Sequence, residues 1–283
     1  MQRTTLAALG GLLAASLAWS TAAQAQTQVD LVTGPVDFTT WNLQGSATAR
    51  NLTPGNGFTY SVLDLTSPGS GDQFGAGYAP TALAMDFNQP FQSDWVWHIP
   101  NVPGLRGDGF TFTLNTQQVL GGGGSDLGYR TEDPSSSIAL AVDTFDFGGS
   151  DPVSPSLQIL SAGSVTPLAA TETGLGDAIR DPDFAWFGQL RYLPSGADDN
   201  TGTLVGRIDH VNLGSFEVQA DVDFAALGMV GEPIFYGFTA ANGLATDGHV
   251  IQWGAPVPEP GTWALLAAGL AALRLRRRTG LSR

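Results

Sequence analysis

Phe216-Glu-Val-Gln-Ala-Asp-Val-Asp-Phe224 alternates apolar and polar residues along its whole length, and this stretch decides the class of fold. A strand sends successive side chains to opposite faces, so strict alternation describes an element with one face in a core and the other in water. The same period recurs upstream. Phe91-Gln-Ser-Asp-Trp-Val-Trp-His-Ile99 puts Phe91, Trp95, Trp97 and Ile99 on one face, and Phe110-Thr-Phe-Thr-Leu114 alternates without a break. Further strands are predicted at Val36–Leu43, Thr59–Leu65, Thr81–Phe87, Ser137–Phe145, Leu157–Leu160, Ala185–Tyr192, Thr203–Ile208, Ile234–Thr239 and His249–Trp253, each bounded by Gly, Pro, Asn or Asp. No long stretch has helical periodicity; Pro167–Asp181 reads as a loop or a helical turn. So many strands exceed one open sheet, which predicts two packed antiparallel sheets, an all-β sandwich. Trp41, Trp95, Trp97, Trp186 and Trp253 lie on strand patterns and are expected in the core.

Composition narrows the function. The 283 residues include 12 basic against 26 acidic side chains, a net charge of −14, with 37 Gly, 17 Pro and no Cys. Every basic residue is Arg. Without Cys there is no disulfide framework, thiolate-bound metal or thiol nucleophile. An acidic surface repels phosphate, so nucleic acid is not an expected partner. Residues 26–258 hold 6 Arg against 25 acids, 6 − 25 = −19, so the body is more acidic than the whole chain.

Both ends read as addresses. At the N-terminus Arg3, the apolar run Leu6–Trp19 and Ala23-Gln24-Ala25 form the three parts of a secretory signal peptide, residues 1–25, with Gln26 as the new N-terminus. At the C-terminus an apolar stretch, Gly261–Leu273, is stopped by Arg274, Arg276, Arg277 and Arg278. As a helix it would rise about 20 Å, short of the ~30 Å hydrocarbon core of a bilayer. Pro258-Glu259-Pro260, the short hydrophobic stretch and the basic end together resemble the PEP-CTERM sorting tail of Gram-negative bacteria, here residues 256–283. That resemblance implies a transient association with the inner membrane, recognition and cleavage by exosortase, and release to the cell surface or extracellular matrix.

Several segments of the body, in order, resemble the legume-type (L-type) lectin domain. Trp41–Ala47 is similar to its opening strand and turn, and Asp64-Leu-Thr66 and Gly77-Tyr-Ala-Pro80 to the next pair. Gly107-Asp108-Gly109 followed by Phe110–Leu114 resembles its Ala-Asp-Gly-hydrophobic motif. Gly121–Gly124 with Leu127-Gly128-Tyr129 resembles its glycine loop, Ser137–Phe145 its metal-binding strand, and Tyr236–Gly243 with His249–Trp253 its closing pair. The resemblance spans Val36–Gly254 and implies a concanavalin-like jelly-roll sandwich, residues 26–255, that binds polysaccharide or glycoconjugate.

The resemblance also implies site residues. Asp108 would accept hydrogen bonds from sugar hydroxyls, since a carboxylate is acceptor-only and takes two donors at once; the peptide before it is often cis in the family. Gly123 and Gly124 would bring backbone N–H groups close to the sugar, Phe145 would offer a ring, and Asn242 and Gly243 would close the site. Taken as residues alone, Asp108 is equally a turn residue and the glycines a flexible loop. The metal strand departs from the family pattern. Asp143 and Asp151 match its two Asp positions and Phe145 its aromatic, but Ala141 stands where the family has Glu, Phe147 where it has Asn, and its His position falls near Ser156. No transition metal is therefore expected. An oxygen-only calcium site of Asp143, the Phe145 carbonyl, Asp146 and Asp151 remains as an expectation, against a degenerate loop. His98, His210 and His249 have no ligand spacing.

Three functions compete: a carbohydrate-binding lectin, a structural matrix protein on a degenerate lectin fold, and a glycoside hydrolase. A retaining hydrolase needs two carboxyls about 5–5.5 Å apart. Related glucanases resemble this sandwich but carry Glu-x-Asp-x-x-Glu, and Ala141-Val-Asp143-Thr-Phe-Asp146 lacks both Glu residues. The chain is not expected to be an enzyme.

Overall fold

The computed structural model of the chain describes residues 29–31, 36–52, 59–104, 106–149, 151–180 and 184–252. The proposed signal peptide, Trp253, the Pro258-Glu259-Pro260 motif and the tail lie outside the described residues. The strands run β1 (Val29–Asp30), β2 (Asn42–Gly45), β3 (Thr48–Leu52), β4 (Tyr60–Thr66), β5 (Phe74–Tyr78), β6 (Leu83–Ala84), β7 (Phe91–His98) and β8 (Gly109–Asn115). They continue as β9 (Ser137–Asp143), β10 (Ser156–Ser161), β11 (Ala169–Glu172), β12 (Trp186–Pro194), β13 (Thr201–His210), β14 (Gly214–Asp223), β15 (Pro233–Ala241) and β16 (His249–Gln252). One sheet has the order β14-β13-β12-β7-β16-β4-β3, with β1 beside β7; the other has β11-β10-β9-β8-β15-β5-β2, with β6 beside β15. All pairs are antiparallel except β1–β7. The two-sheet sandwich predicted from the alternation is the fold observed.

The alternating residues meet between the sheets. Trp95 stacks on Phe112 with ring centroids 4.6 Å apart, Trp97 on Trp186 at 5.4 Å, and Phe87 on Phe224 at 3.9 Å. Trp41, Trp95, Trp97 and Trp186 are all buried, as the pattern requires. These large rings remove the most apolar area from water per residue and set the spacing between the layers.

The central strands β8 and β9 are buried on both faces. Ile138, Leu140 and Val142 point into the main core, whereas Ala139 and Ala141 join Leu127, Tyr129 and Leu160 in a second apolar cluster. That cluster forms because the loop from β8 to β9 folds back over the outer face of the sheet. Thr239 Oγ1 donates to the Leu127 carbonyl at 2.9 Å, and a Cβ on Gly128 would lie 2.8 Å from the Ala240 carbonyl oxygen. Small residues on β9 are the consequence of this close cover.

The structure corrects several strand expectations. Val36–Leu43 begins with a 3₁₀ turn, Phe38–Thr40, because Asp37 Oδ1 accepts from the Thr39 N–H at 3.0 Å and caps it. Thr81–Phe87 shrinks to Leu83–Ala84, since Asp86 turns the chain by accepting from Asn88 and Gln89. β3 and β11 have no alternation that marks them: both sit at sheet edges, where one partner and little burial suffice. In Pro167–Asp181 the chain forms β11 and a 3₁₀ turn, Gly176–Arg180.

Candidate functional site

Register brings four strand ends into line at one edge of the second sheet. Gly109 pairs with Asp143 on one side and with Ala241 on the other, and Ala241 pairs with Phe74. The residues just beyond these ends therefore share one small region: Asp108 before β8, Thr144–Phe147 after β9 and Asn242–Asp247 after β15. The loop over β8 and β9 delivers Gly123 and Gly124 to the same place.

Asp108 lies at its centre. The Gly107–Asp108 peptide is cis. The backbone of Asp108 is held from two sides: its N–H donates to the Ala241 carbonyl at 3.2 Å, and its carbonyl accepts from the Thr144 N–H at 2.7 Å and from Thr144 Oγ1 at 3.0 Å. The side chain is only 2% exposed, yet Oδ2 has no hydrogen-bond partner. A Cβ on Gly124 would lie 3.6 Å from that oxygen and one on Gly243 3.5 Å, so the two glycines border the carboxylate with backbone alone. Burial pushes the Asp108 carboxyl up to about 6; the Gly243 N–H pulls it down and the neighbouring Asp247 carboxylate pushes it further up.

Gly107 itself is explained by Phe145. A Cβ at position 107 would come within 2.6 Å of the Phe145 Cβ, so only Gly lets that ring pack beside Asp108. Phe145 is half-buried and meets Phe147 edge-on at 4.8 Å; Phe147 is 57% exposed. On the other side Phe74, 41% exposed, lies against Gly123, where a Cβ would be 3.2 Å from its ring. Leu244 is 89% exposed on the loop after β15. A buried acceptor with exposed apolar side chains on the neighbouring segments would suit a ligand that has both hydroxyl donors and an apolar face.

Asn242 sits differently from its expected place in contact with sugar. It is fully buried; its Oδ1 accepts from the Gln73 N–H at 2.9 Å and its Nδ2 donates to the Asp247 carbonyl at 3.1 Å. Both ends of the amide are thus committed to bracing the loop that carries Gly243.

The expected calcium ligands do not converge. Asp143 Oδ1 accepts from the Phe145 N–H at 3.0 Å and from Ser154 Oγ at 3.1 Å, while Oδ2 accepts from Gln158 Nε2 at 3.0 Å. Asp146 accepts from the Gly148 N–H at 2.5 Å, and Asp151 from the Phe147 N–H at 2.9 Å. Each of the three carboxylates turns at least one oxygen to a nearby donor, and among the described residues no three His, Asp or Glu side chains group around a common point. The oxygen-only site expected from sequence does not fit this arrangement. Ala141, at the position where the resemblance expects Glu, lies wholly inside the second apolar cluster.

Sequence reasoning missed the residues beneath the site. Asp247 is fully buried and Arg180 is 3% exposed; Arg180 Nε reaches the two Asp247 oxygens at 3.1 and 2.9 Å and Nη2 reaches Oδ2 at 2.6 Å. The Asp247 N–H donates to the Gly107 carbonyl at 3.0 Å. His249 packs next to this pair, with Nδ1 2.8 Å from Thr66 Oγ1, and burial pushes it down to about 4, so it is neutral at pH 7. The partners are 67 residues apart in sequence, and no local pattern joins them.

A groove of about 850 Å³ is lined by Gly121, Gly122, Asp126 and residues 130–136, among others, and does not include Asp108.

Two packed antiparallel sheets, with a glycine loop folded over one of them, form a lectin-like sandwich fold. Solved structures agree on the fold. The chain is similar to basic winged bean lectin with Tn-antigen, at 21% identity and a TM-score of 0.58, over 76% of this chain and 90% of that one. It is also similar to the metal-free form of lectin I-B4 from Griffonia simplicifolia (14% identity, TM-score 0.60, 76% and 92% coverage). A third is the lectin from Bauhinia forficata in complex with GalNAc (17% identity, TM-score 0.60, 75% and 90% coverage). The PEP-CTERM protein-sorting motif matches residues 256–278, which covers the Pro258-Glu259-Pro260 stretch and implies export and sorting by exosortase to the cell envelope or surface. No curated protein matches the chain in sequence.

Proposed function

We propose that this is an exported glycan-binding protein of the cell surface or extracellular matrix, which binds neutral polysaccharide or glycoconjugate without cleaving it. The observation that carries the reading is the unpartnered Oδ2 of buried Asp108 between Gly124 and Gly243. A buried acceptor without a donor is costly, and a sugar hydroxyl supplies the missing donor. Phe145 and Phe147 would take the apolar face of the ring, Gly123 and Gly124 its edge, and Asn242 would hold Gly243 in position. An acidic body of −19 repels uronate polymers over about one Debye length, ~8 Å at physiological salt, whereas a neutral glycan meets no such barrier.

The test is an array of neutral glycans that includes galactose, N-acetylgalactosamine and fucose, read with the wild-type protein and with Asp108→Asn. Retention by the wild type that the variant loses supports the reading. A second reading, a matrix protein that keeps the fold without binding sugar, is favoured by the buried Ala141 and by Asp143, which accepts from three protein donors; an array with no bound glycan selects it. Released reducing sugar would contradict both. For sorting, intact mass of the surface fraction should lack residues 1–25 and the tail from Gly261; an uncleaved C-terminus outside the inner membrane would contradict the route.

A further inference from the structure

We propose that Arg180 is a positioning residue which holds the Asp108 segment in place, the work of a cation done by a side chain, so that the site needs no bound metal. The proposal rests on Asp108 being the sugar acceptor. Among the described residues Arg180 is the buried Arg. Arg180 is 3% exposed, packed against fully buried Asp247, and its Nη1 faces Asp177 at 3.6 Å. A guanidinium fork engages a carboxylate through two donors and fixes its orientation as well as its distance.

From that pair, bonds run directly to the site. Thr144 is tied at both ends: its carbonyl accepts from Arg180 Nη2 at 3.4 Å, and its Oγ1 lies 3.4 Å from Asp247 Oδ2 while also donating to the Asp108 carbonyl at 3.0 Å. The Asp247 N–H holds the Gly107 carbonyl. The two residues of the cis peptide are thus each bonded to a group that Arg180 fixes. Arg180 is itself anchored, because the carbonyl of the preceding Ile179 accepts from the Trp186 indole at 3.0 Å inside the core. Asp108 and Asp247 are neighbouring carboxylates in a buried setting, and Arg180 is paired with Asp247. By contrast, Asp143, Asp146 and Asp151 each accept from a nearby backbone N–H, and among the described residues they do not group around a common point. A resident cation is present; it is Arg180.

The experiment uses the exported protein and three readouts: melting temperature, amide exchange at Asp108, Thr144 and Asp247, and retention on the neutral glycan array. In the wild type, neither EDTA nor millimolar calcium chloride should change any of them. Removing Arg180 alone leaves Asp247 buried and unpaired, so a fold defect would be ambiguous. The double variant Arg180→Met/Asp247→Leu removes both charges, and apolar replacement of a buried pair is often neutral for stability. It should melt near the wild type, yet amide exchange at Thr144 and at position 247 should quicken about tenfold or more and glycan retention should fall. Arg180→Lys, which keeps the charge and loses the fork, should lie between. Wild-type exchange and retention in the double variant would overturn the positioning role, and so would a melting temperature raised by calcium or lowered by EDTA. Asp108→Asn separates this proposal from the one beneath it. If that variant still retains glycan, the acceptor reading fails, whereas the exchange results on Arg180 stand by themselves.

Discussion

Replacing Asp108 by Asn should raise stability and remove binding in the same protein, and the two effects should have different pH dependence. Burial lifts the Asp108 carboxyl from 3.8 to about 6 in the folded chain. A folded-state pKa above the unfolded value means that the charged form is disfavoured in the native state. This penalty is absent below about pH 4, grows as pH rises between the two values, and is fully present above about 6. Two units correspond to about 3 kcal/mol at neutral pH, at 1.36 kcal/mol per unit. Asn has the same shape and no ionised form, so Asp108→Asn should recover up to that amount at pH 7 and little at pH 4. At roughly 2–4 °C per kcal/mol for a domain of this size, the melting temperatures of the two proteins should diverge by several degrees as pH rises from 4 to 7. Binding should move the other way: a hydrogen bond to a charged group contributes about 1.5–3 kcal/mol, so the variant should lose at least tenfold in affinity for glycan. Thermal melts across pH together with the glycan array check both. A stability difference that does not change with pH, or undiminished binding by the variant, would refute the reasoning about this carboxylate.

The other predictions concern the same edge. Glycan affinity of the wild type should fall about tenfold per pH unit below about 6, as the acceptor takes up a proton and becomes a donor; titration of binding from pH 4 to 8 measures this, and a flat profile would remove Asp108 from the site. Phe147→Ala should weaken binding by about 0.5–1.5 kcal/mol, the range of a ring contact, while leaving the melting temperature almost unchanged, because the ring is 57% exposed. Ala141→Glu puts a carboxyl among Leu127, Tyr129 and Leu160 and should destabilise by about 3 kcal/mol or more, measured by denaturant unfolding; wild-type stability in this variant would mean that the strand still accommodates the Glu implied by the lectin resemblance.

The sandwich was legible in the sequence because its cause is local. Phe91–Ile99, Phe110–Leu114 and Phe216–Phe224 carry their inward and outward faces in their own alternation, and register cannot slip by one without exposing every ring. The Gly107-Asp108-Gly109 and Gly121–Gly124 segments and the terminal Pro258-Glu259-Pro260 were equally readable, as short contiguous motifs. What the alternation left out was the edge strands β3 and β11, which bury little and so are under weak constraint.

Only tertiary structure decided the chemistry around Asp108. Asp143, Asp146 and Asp151 read as calcium ligands in one dimension, because a count of oxygens says nothing of which N–H groups will reach them first. Asn242 lies in a plausible contact loop, yet folding turns its amide inward to Gln73 and Asp247. The pairing of Arg180 with Asp247 depends on the 3₁₀ turn before β12 meeting the loop before β16, a contact made by packing rather than by any spacing along the chain. Periodicity is a property of neighbours in sequence; a buried charge pair and a buried acceptor without a donor are properties of neighbours in space, and those exist only once the sheets have closed on each other.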